Sequence, residues 1–402
     1  MLGRLRSYAG LAIRRLGLLP GGVPDGLGDD DTLGAHVIRS ESLVFFPDPP
    51  ENLYQLRQWY GALGELDKFG GVSIITQDSR TARAVREETD FEVLVVARNR
   101  TFAGLVDRGN AKIAIYVGHA NNNLVGLRAT GLAHIFLAHG DSDKSVSVSN
   151  QVKGFDYTLV AGQAAVDRYA AEVLFFDADR HLRVIGRPQL PARVSRDEAT
   201  VVLYAPTWEG SQETNAYSSA VSHGEPLVRS LLDAGYTVLY RPHPRLGVSD
   251  KRFRAADQAV RALVTAAGER GRVDTSADPG PAMQEADVLI TDVSAMSSDW
   301  LSQLKPLLVT VPTVPQARPA GPSLLHAQVP RITVEQAADA GTLVRETVAD
   351  PDHLPRIRTL AEHYLGGLDA AQATEAFVTT CREIAAERDR ERAVKQSGHA
   401  PS

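Results

Sequence analysis

The sequence predicts an α/β protein built from two doubly wound, Rossmann-like domains that face each other across a cleft. Short β-rich apolar runs alternate with segments of helical periodicity, which indicates parallel sheets covered on both faces. This alternation occurs twice, on either side of a Gly- and Pro-containing stretch at residues 186–193. The chain has 402 residues, of which 43% are hydrophobic, so it can bury the cores of roughly two domains.

The predicted elements follow this alternation in order. In the first half the predicted strands are residues 43–46, 72–76, 92–97, 112–117, 133–138 and 157–161, and the clearest helices are 53–66, 81–88 and 162–171. In the second half the predicted strands are 200–204, 237–240, 272–275, 287–291, 307–311 and 331–333, with helices at 225–234, 254–267 and 294–302. We therefore predict an amphipathic helix and linker at 1–33, one Rossmann-like domain at 34–190, a second at 191–350, and C-terminal helices with a tail at 351–402.

Composition excludes several classes of protein. The net charge is -6, so nothing indicates a general affinity for nucleic acid. The single cysteine, Cys381, rules out a disulfide framework and a zinc site built on several thiolates. No apolar run reaches about 18 residues, so we predict no transmembrane helix.

Residues 1–19 have the pattern of a basic amphipathic helix. They contain Arg4, Arg6, Arg14 and Arg15, and no acidic residue occurs before Asp25. At helical spacing the apolar side chains share one face: Leu2, Leu5, Tyr8, Ala12, Ile13, Leu16 and Leu19. We expect this helix to lie on an anionic membrane surface. A helix docked on the protein body and a signal peptide are the alternatives, although the arginines interrupt any apolar core of a signal.

In open α/β sheets, ligands bind beyond the carboxyl ends of the strands, so the predicted strand ends are where chemistry is expected. The strand at 133–138 runs into His139 and Gly140, and Lys144 follows shortly after. A histidine there is suited to act as a general base, because its ordinary pKa lies near working pH. Gly140 allows the backbone to turn or to approach a ligand closely, and Lys144 is suited to contact a phosphate. A histidine that merely caps the strand end is the alternative.

Two strand ends of the second half carry further polar groups. Pro206 ends one strand and leaves Thr207 and Trp208 at its tip, where the hydroxyl could bond a phosphate oxygen and the indole could line the cleft. In the next, Arg241 supplies a delocalised cation suited to phosphate, and His243 lies between two prolines that restrict its backbone. For Trp208 the alternative is simple packing over the sheet edge.

The strand at 287–291 ends in Thr291 and Asp292, and a helix is predicted to open near Ser294 and Ala295. Backbone N–H groups at a helix N-terminus, helped by serine hydroxyls, favour anions. Asp292 is expected to orient the turn or to bond a donor hydroxyl. An ordinary serine N-cap is the alternative.

In their order along the chain, these motifs resemble the CDP-glycerol glycerophosphotransferase family, the teichoic acid primases and polymerases with the GT-B fold. That family has a His-Gly strand end with a Lys five residues past the His, a Gly-x-Pro near the domain junction, and then Tyr-Ala-Pro-Thr-Trp, Arg-x-His-Pro, Thr-Asp-x-Ser, a later Asp and Lys-Pro. The matching residues here are His139, Gly140, Lys144, Gly186, Pro188, Tyr204 to Trp208, Arg241, His243, Pro244, Thr291, Asp292, Ser294, Asp299, Lys305 and Pro306.

The resemblance implies CDP-glycerol as donor, a lipid-linked glycerol phosphate as acceptor, and CMP as product, at the cytoplasmic face of a membrane. It implies that His139, on the acceptor-side domain, deprotonates the acceptor hydroxyl and that His243, on the donor-side domain, assists the departure of CMP. Thr207, Arg241, Ser294 and the helix N-terminus after Asp292 would hold the phosphates. We expect no obligatory metal or other cofactor.

The chain departs from the family pattern at Asp141, Glu209 and Ala295, where the family often has Thr, Arg and Ser. These departures bear on the donor, so three alternatives stay open. One is a nucleotide-sugar glycosyltransferase or epimerase of the same architecture, since a fold serves many donors. Another is transfer of ribitol phosphate or a sugar phosphate by the same mechanism. The third is a homologue that binds nucleotide without turnover.

Overall fold

The computed structural model describes residues 25, 27–137, 142–144, 148–194, 199–276, 278–321 and 323–397. The predicted amphipathic helix at residues 1–19 lies outside these residues, as do His139, Gly140 and Asp141. The predicted fold class is confirmed for the part of the chain described here: it forms two parallel α/β sheets with helices on their faces.

The first sheet contains seven described strands in the order β3-β2-β1-β4-β5-β6-β7, and all of its pairings are parallel. Its strands are β1 (Ser42–Phe46), β2 (Val72–Thr76), β3 (Glu92–Val95), β4 (Ile113–Tyr116), β5 (Ala133–Phe136), β6 (Tyr157–Val160) and β7 (Leu182–Val184). The helices along this part of the chain are α1 (Leu27–Thr32), α2 (Tyr54–Arg57), α3 (Tyr60–Asp67), α4 (Ser79–Glu88), α5 (Asn99–Arg108), α6 (Asn123–Gly126), α7 (Gln163–Glu172) and α8 (Ala178–His181).

The second sheet repeats the same winding with six described strands in the order β10-β9-β8-β11-β12-β13, again all parallel. Its strands are β8 (Val201–Ala205), β9 (Thr237–Tyr240), β10 (Gly271–Val273), β11 (Val288–Thr291), β12 (Leu307–Thr310) and β13 (Arg331–Ile332). The helices that follow are α9 (Gly224–Asp233), α10 (Lys251–Ala266), α11 (Gly280–Glu285), α12 (Ala295–Trp300), α13 (Leu324–Gln328), α14 (Ala340–Ala349), α15 (His353–Leu365) and α16 (Ala370–Ser397).

Both strand orders reverse direction once, between β1 and β4 in the first sheet and between β8 and β11 in the second. A crevice forms at such a switch point, because the connections on its two sides leave toward opposite faces. In the second sheet, the predicted strand ends at Pro206 and Asp292 therefore come to lie side by side, since Ala205 pairs with Thr291 in register.

Central strands such as β1 and β2 are buried along their whole length, because helices cover both faces of the sheet. Local signals set some helix ends. The Asp78 carboxylate accepts the backbone N–H groups of Arg80 and Thr81 and starts α4. Gly366, at a φ of 65°, ends α15 in the left-handed conformation that glycine adopts without a Cβ clash.

The last two helices return to both domains. In α15, Ile357, Leu360 and Ala361 pack into the core of the second domain. In α16, Phe377 and its apolar neighbours pack on the first domain, where its ring lies 5.5 Å from that of Trp59. The C-terminal part of the chain therefore ties the two sheets together.

Among the described residues, no helix combines the length and the apolar character that a bilayer crossing requires.

Candidate functional site

Asp292 is the centre of the switch point in the second sheet. It follows β11 and is fully buried. One carboxylate oxygen accepts the backbone N–H of Thr207 at 2.7 Å and that of Ser219 at 3.2 Å, and the other accepts the Thr310 hydroxyl at 2.5 Å. Burial raises the pKa of Asp292, and these hydrogen bonds oppose that shift. Of the two roles considered for Asp292, the geometry favours orienting the turn, since both oxygens are occupied by the protein.

Thr207 is the residue that Asp292 holds in place. Its exposed fraction is 3%, and its carbonyl accepts the Ser218 hydroxyl at 2.7 Å. Lys144 crosses from the first domain and donates from Nζ to the Thr207 hydroxyl at 2.8 Å. The ammonium also lies 5.7 Å from the centre of the Tyr217 ring. The two domains therefore meet at the side chain of Thr207.

This setting changes the acidity of Lys144. Burial lowers its pKa to about 8, while the charge of Asp292 acts in the opposite direction. A lysine with this pKa changes its protonation state near pH 8, and an anion beside it would raise that pKa.

The segment after Asp292 is the short helix α12, which starts at Ala295. The Thr291 hydroxyl donates to the carbonyl of Ala205 at 2.7 Å, so it joins the two strand tips instead of facing a ligand. It also lies 3.2 Å from the Ser294 hydroxyl. Ser294 occupies the N-cap position in extended conformation, without a side-chain bond to the helix backbone. Ala295 is half-buried at the opening of the helix.

His243 and Arg241 follow β9, which is the neighbour of β8. The backbone N–H of His243 donates to the carbonyl of Pro206 at 3.2 Å, and His243 Nδ1 accepts the N–H of Arg245 at 3.1 Å. Its ring centre is 6.5 Å from that of the half-buried Trp208, and the Arg245 guanidinium stacks on Trp208 at 4.3 Å. The imidazole therefore lies beside Thr207, at the carboxyl ends of two neighbouring strands.

Arg241 is engaged within the protein. Its guanidinium pairs with Asp274 and bonds the Ser276 hydroxyl at 3.0 Å and the Ser276 carbonyl at 2.8 Å. A phosphate would therefore have to share or displace these partners. Its role as a phosphate ligand stays a prediction.

Glu209, one of the departures from the family pattern, has a clear structural role. Its carboxylate accepts the backbone N–H groups of Gly247 at 2.9 Å, Ser249 at 2.9 Å and Asp250 at 3.1 Å. It thereby holds the loop between His243 and α10. Burial by itself would raise the pKa of the Glu209 carboxyl, but the N–H groups outweigh it and lower that pKa.

We expect Glu209→Ala to destabilise this loop by about 1 to 2 kcal/mol, because three N–H groups lose their acceptor. Glu209→Gln keeps one acceptor oxygen and is the matched control. Since folding lowers the pKa of Glu209, the advantage of wild type over Glu209→Gln is present above the ordinary carboxyl pKa. It is lost as the pH falls through the lower folded pKa. Denaturant unfolding at several pH values measures this, and a pH-independent difference would contradict the assigned role.

Two other predicted family positions support the fold around the site. Asp299 pairs with Arg187 at 3.0 Å and so fixes the chain just after β7 to the second domain. Lys305 donates to the carbonyls of Met283 at 3.3 Å, Gln284 at 3.0 Å and Ala286 at 2.6 Å, where it caps the end of α11.

The sequence analysis missed several residues that complete the site. Ser219, Thr310 and Tyr217 surround Asp292, Thr207 and Lys144, and they come from separate parts of the chain. Asp143, directly before Lys144, was also missed, and the structure shows that it is almost fully buried. Its acidic character within the loop after β5 was the one available signal.

Within the described ranges, no group of three or more His, Cys, Asp or Glu side chains is arranged to hold a metal ion. The absence of an obligatory metal stays a prediction.

The two doubly wound sheets, with a polar site at the switch point of one and a lysine reaching it from the other, define a two-domain α/β protein of GT-B-like architecture. The model of the CDP-glycerol:poly(glycerophosphate) glycerophosphotransferase family matches residues 187–316, which confirms over this segment the family resemblance drawn from the motifs. No curated protein matches the chain.

Solved structures show the same fold at low sequence identity. The wall teichoic acid polymerase TagF superposes with a TM-score of 0.55 at 11% identity, covering 96% of this chain and 99% of that one. A glycosyltransferase from Rickettsia africae ESF-5 gives 0.55 at 12% identity, covering 86% and 98%. The UDP-GlcNAc 2-epimerase from Neisseria meningitidis, bound to UDP-GlcNAc, gives 0.54 at 10% identity, covering 85% and 99%.

Proposed function

We propose that this protein transfers a glycerol phosphate unit from CDP-glycerol to a membrane-linked phosphodiester polymer, such as a teichoic acid or a capsule, and releases CMP. The observation that carries the proposal is the meeting of Lys144 and Thr207. A cation from one domain reaches the strand tip that is expected to hold the donor phosphates on the other. The family match over residues 187–316 supports the transferred group, and a structure of TagF soaked with CDPG is among the folds similar to this one.

In the proposed reaction, an acceptor hydroxyl oxygen attacks the β-phosphorus of CDP-glycerol. A new phosphorus–oxygen bond forms, and the bond from that phosphorus to the bridging oxygen breaks. CMP leaves with the bridging oxygen, and the hydroxyl proton passes to a base, for which His139 is the candidate. Phosphoryl transfer of this kind needs positioning and charge stabilisation more than covalent catalysis.

The described residues would bind the diphosphate and assist the departure of CMP. Lys144 would neutralise charge on the diphosphate, and the Thr207 hydroxyl would bond a phosphate oxygen. His243, held beside Pro206 and Trp208, would bond or protonate the departing CMP oxygen. Ser294 and the first N–H groups of α12 lie next to the same strand tip and would complete the phosphate contacts.

The second candidate is a nucleotide-sugar enzyme, since a UDP-GlcNAc 2-epimerase superposes almost as well as TagF, with TM-scores of 0.54 and 0.55. A sugar donor usually calls for a carboxylate beside the ring hydroxyls. Three described carboxylates near the site are already engaged: Asp292 by the strand tips, Glu209 by its loop, and Asp274 by Arg241. This engagement favours a polyol phosphate over a sugar.

The pH dependence of donor binding follows from Lys144. Its pKa near 8 in the free protein means that the ammonium is lost above that pH. Because a diphosphate binds the protonated form, we expect the Kd for CDP-glycerol to rise by about ten-fold from pH 7.5 to 9. Lys144→Met should bind more weakly at pH 7.5 and lose this rise. Calorimetric titration measures the Kd at both pH values. If the Kd of Lys144→Met still rises with pH, a group other than Lys144 causes the pH dependence.

The acceptor is proposed to be lipid-linked, and the basic amphipathic segment at residues 1–19 is proposed to hold the protein on the inner face of the membrane. Cosedimentation with anionic and neutral vesicles tests this. We expect binding to anionic vesicles to be lost when Arg4, Arg6, Arg14 and Arg15 are neutralised. Binding that persists would contradict the proposed role of this segment.

A donor panel tests the proposed function itself. CDP-glycerol, CDP-ribitol and a UDP-sugar are each incubated with a lipid-linked glycerol phosphate in detergent, and nucleotide release is measured. Acceptor-dependent CMP from CDP-glycerol is expected. Release from CDP-ribitol alone would change the polyol and keep the mechanism. Consumption of the UDP-sugar alone would favour the second candidate, and binding without release would indicate a non-catalytic homologue.

A further inference from the structure

Asp143 lies on the first-domain loop that enters the candidate site, directly before Lys144, and only 4% of its surface is exposed. Its carboxylate receives three side-chain hydrogen bonds. Arg168 donates to Oδ1 at 2.6 Å, while Tyr364 at 2.7 Å and Ser323 at 2.5 Å donate to Oδ2. The side chain is thus fully used inside the protein and does not face a ligand.

The partners of Asp143 come from both domains. Arg168 belongs to α7 of the first domain, Ser323 is the N-cap of α13 in the second, and Tyr364 lies on α15. The backbone carbonyl of Asp143 also accepts the N–H of Ala320 at 2.7 Å. The loop is therefore pinned from two sides, one residue before the lysine that reaches Thr207.

Stability alone does not account for this arrangement. Asp143 and Arg168 are 4% and 3% exposed, and taking such a pair out of water offsets much of its attraction. Apolar residues of similar size would hold two elements together at least as well. A buried ion pair with several donors does, however, fix one geometry, because a displaced loop would leave charges without partners.

His326 adds no competing charge to this cluster. Its Nε2 lies 3.9 Å from the Asp143 carboxylate, and burial lowers its pKa to about 4, so the ring is neutral at working pH. Arg168 therefore supplies the balancing positive charge at Asp143.

We propose that Asp143 is a positioning residue of the candidate site: by binding α7, α13 and α15 at once, it fixes the Lys144 ammonium against Thr207 across the domain boundary. The proposal rests on the proposed function for its kinetic consequence, but the position of Lys144 can be measured without turnover.

The first experiment measures the reactivity of Lys144 in the full chain, using an amine-directed acylating reagent at a series of pH values and mass spectrometry. In wild type the labelling midpoint should lie near pH 8. Among the described residues, the groups that face Lys144 are Asp292, Tyr217 and Thr207, and all three remain in Asp143→Asn. If the loop is released, water reaches the ammonium and the midpoint rises by about one unit or more toward that of an ordinary lysine.

The direction of the shift decides the outcome. Removing a nearby negative charge without moving Lys144 would lower the midpoint, because the ammonium would lose an attractive neighbour. A lowered or unchanged midpoint therefore overturns the proposal. Asp287→Asn is the matched control, because Asp287 is buried to nearly the same extent as Asp143. It accepts the N–H groups of Thr200 and Val201 at the amino ends of the strands, away from the candidate site. It should leave the Lys144 midpoint unchanged.

The second experiment is a double-mutant cycle on CMP release from CDP-glycerol. Asp143→Asn is expected to lower kcat/KM by about 100-fold in wild type, the scale of a misplaced catalytic group. In Lys144→Met the same change should cost less than about three-fold, because Asp143 acts through Lys144. An undiminished loss in Lys144→Met would contradict the proposal. If wild type releases no CMP, the proposed function is wrong. The labelling experiment then still tests whether Asp143 positions Lys144, because it does not require turnover.

Tyr364→Phe keeps the experiment usable if Asp143→Asn does not fold. It removes one O–H donor to Asp143 and leaves the Arg168 ion pair intact. A smaller upward shift of the Lys144 midpoint is expected, and an unchanged or lowered midpoint would count against the proposal.

Discussion

Asp292→Ala is expected to lose about 3 to 5 kcal/mol of unfolding free energy, together with measurable donor binding. The substitution leaves the N–H groups of Thr207 and Ser219 and the hydroxyl of Thr310 buried without an acceptor. Thr207 then has no fixed position at the tip of β8, so the expected phosphate contact is lost as well. Denaturant unfolding and calorimetric titration with CDP-glycerol measure the two effects.

Asp292→Asn is the control that separates shape from charge. Its amide oxygen can accept the two N–H groups, and its NH₂ can donate to Thr310, whose hydroxyl can reverse its role. Because burial raises the pKa of Asp292, ionising this group opposes folding, and its contribution to stability falls as the pH rises through the folded pKa. We therefore expect Asp292→Asn to stay within about 1 kcal/mol of wild type. A loss as large as that of the alanine variant would show that the charge itself is required.

His243→Ala is expected to reduce kcat for CMP release by about 1,000-fold, because the leaving oxygen loses its acid or hydrogen-bond donor. The fold should remain, since the bond that the imidazole accepts from the N–H of Arg245 lies in an exposed part of the site. Steady-state kinetics and thermal unfolding measure the two properties.

His243→Asn is the matched variant for this prediction. Its side-chain oxygen can take the place of Nδ1 as acceptor for Arg245, so the loop should keep its stability. It carries no group able to exchange a proton near neutral pH, so it should be as inactive as the alanine variant. Turnover within about three-fold of wild type in either variant would remove His243 from the mechanism.

Most of the fold could be predicted because its strands are apolar runs buried on both faces. The strands at Val72–Thr76 and Thr237–Tyr240 begin and end where the sequence pattern indicates. The sequence analysis missed β7, since Leu182–Val184 is only three residues long, contains Arg183 and exposes Val184. It also missed α5, because the polar run of Arg98, Asn99 and Arg100 at its start obscures the apolar face of Phe102, Leu105 and Val106.

The docking of the last helix could not be predicted for a different reason. The apolar residues of α16, such as Phe377 and Cys381, indicate a buried face. They do not indicate which sheet covers it, and the partner, Trp59, lies more than 300 residues earlier in the chain.

The candidate site also has a part that the sequence predicts and a part that it does not. Thr207, Trp208, His243 and Asp292 were found because each follows a strand, and strand ends in such a sheet share one edge. The contacts that fix them come from distant segments: Thr310 and Ser219 at Asp292, and Ser323 and Tyr364 at Asp143. Polar residues in loops are common, so only their spatial meeting shows what they do. Glu209 is a similar case, since its function depends on a loop 38 residues further on.

The most direct test of the proposed reaction follows the transferred group. The protein is incubated with CDP-glycerol and a lipid-linked glycerol phosphate acceptor of defined length, and the product is analysed by mass spectrometry while CMP is quantified. We expect the acceptor to gain whole glycerol phosphate units, with one CMP released for each unit added. CMP release without acceptor growth, or an unchanged acceptor and unchanged donor, would contradict transfer of a polyol phosphate by this protein.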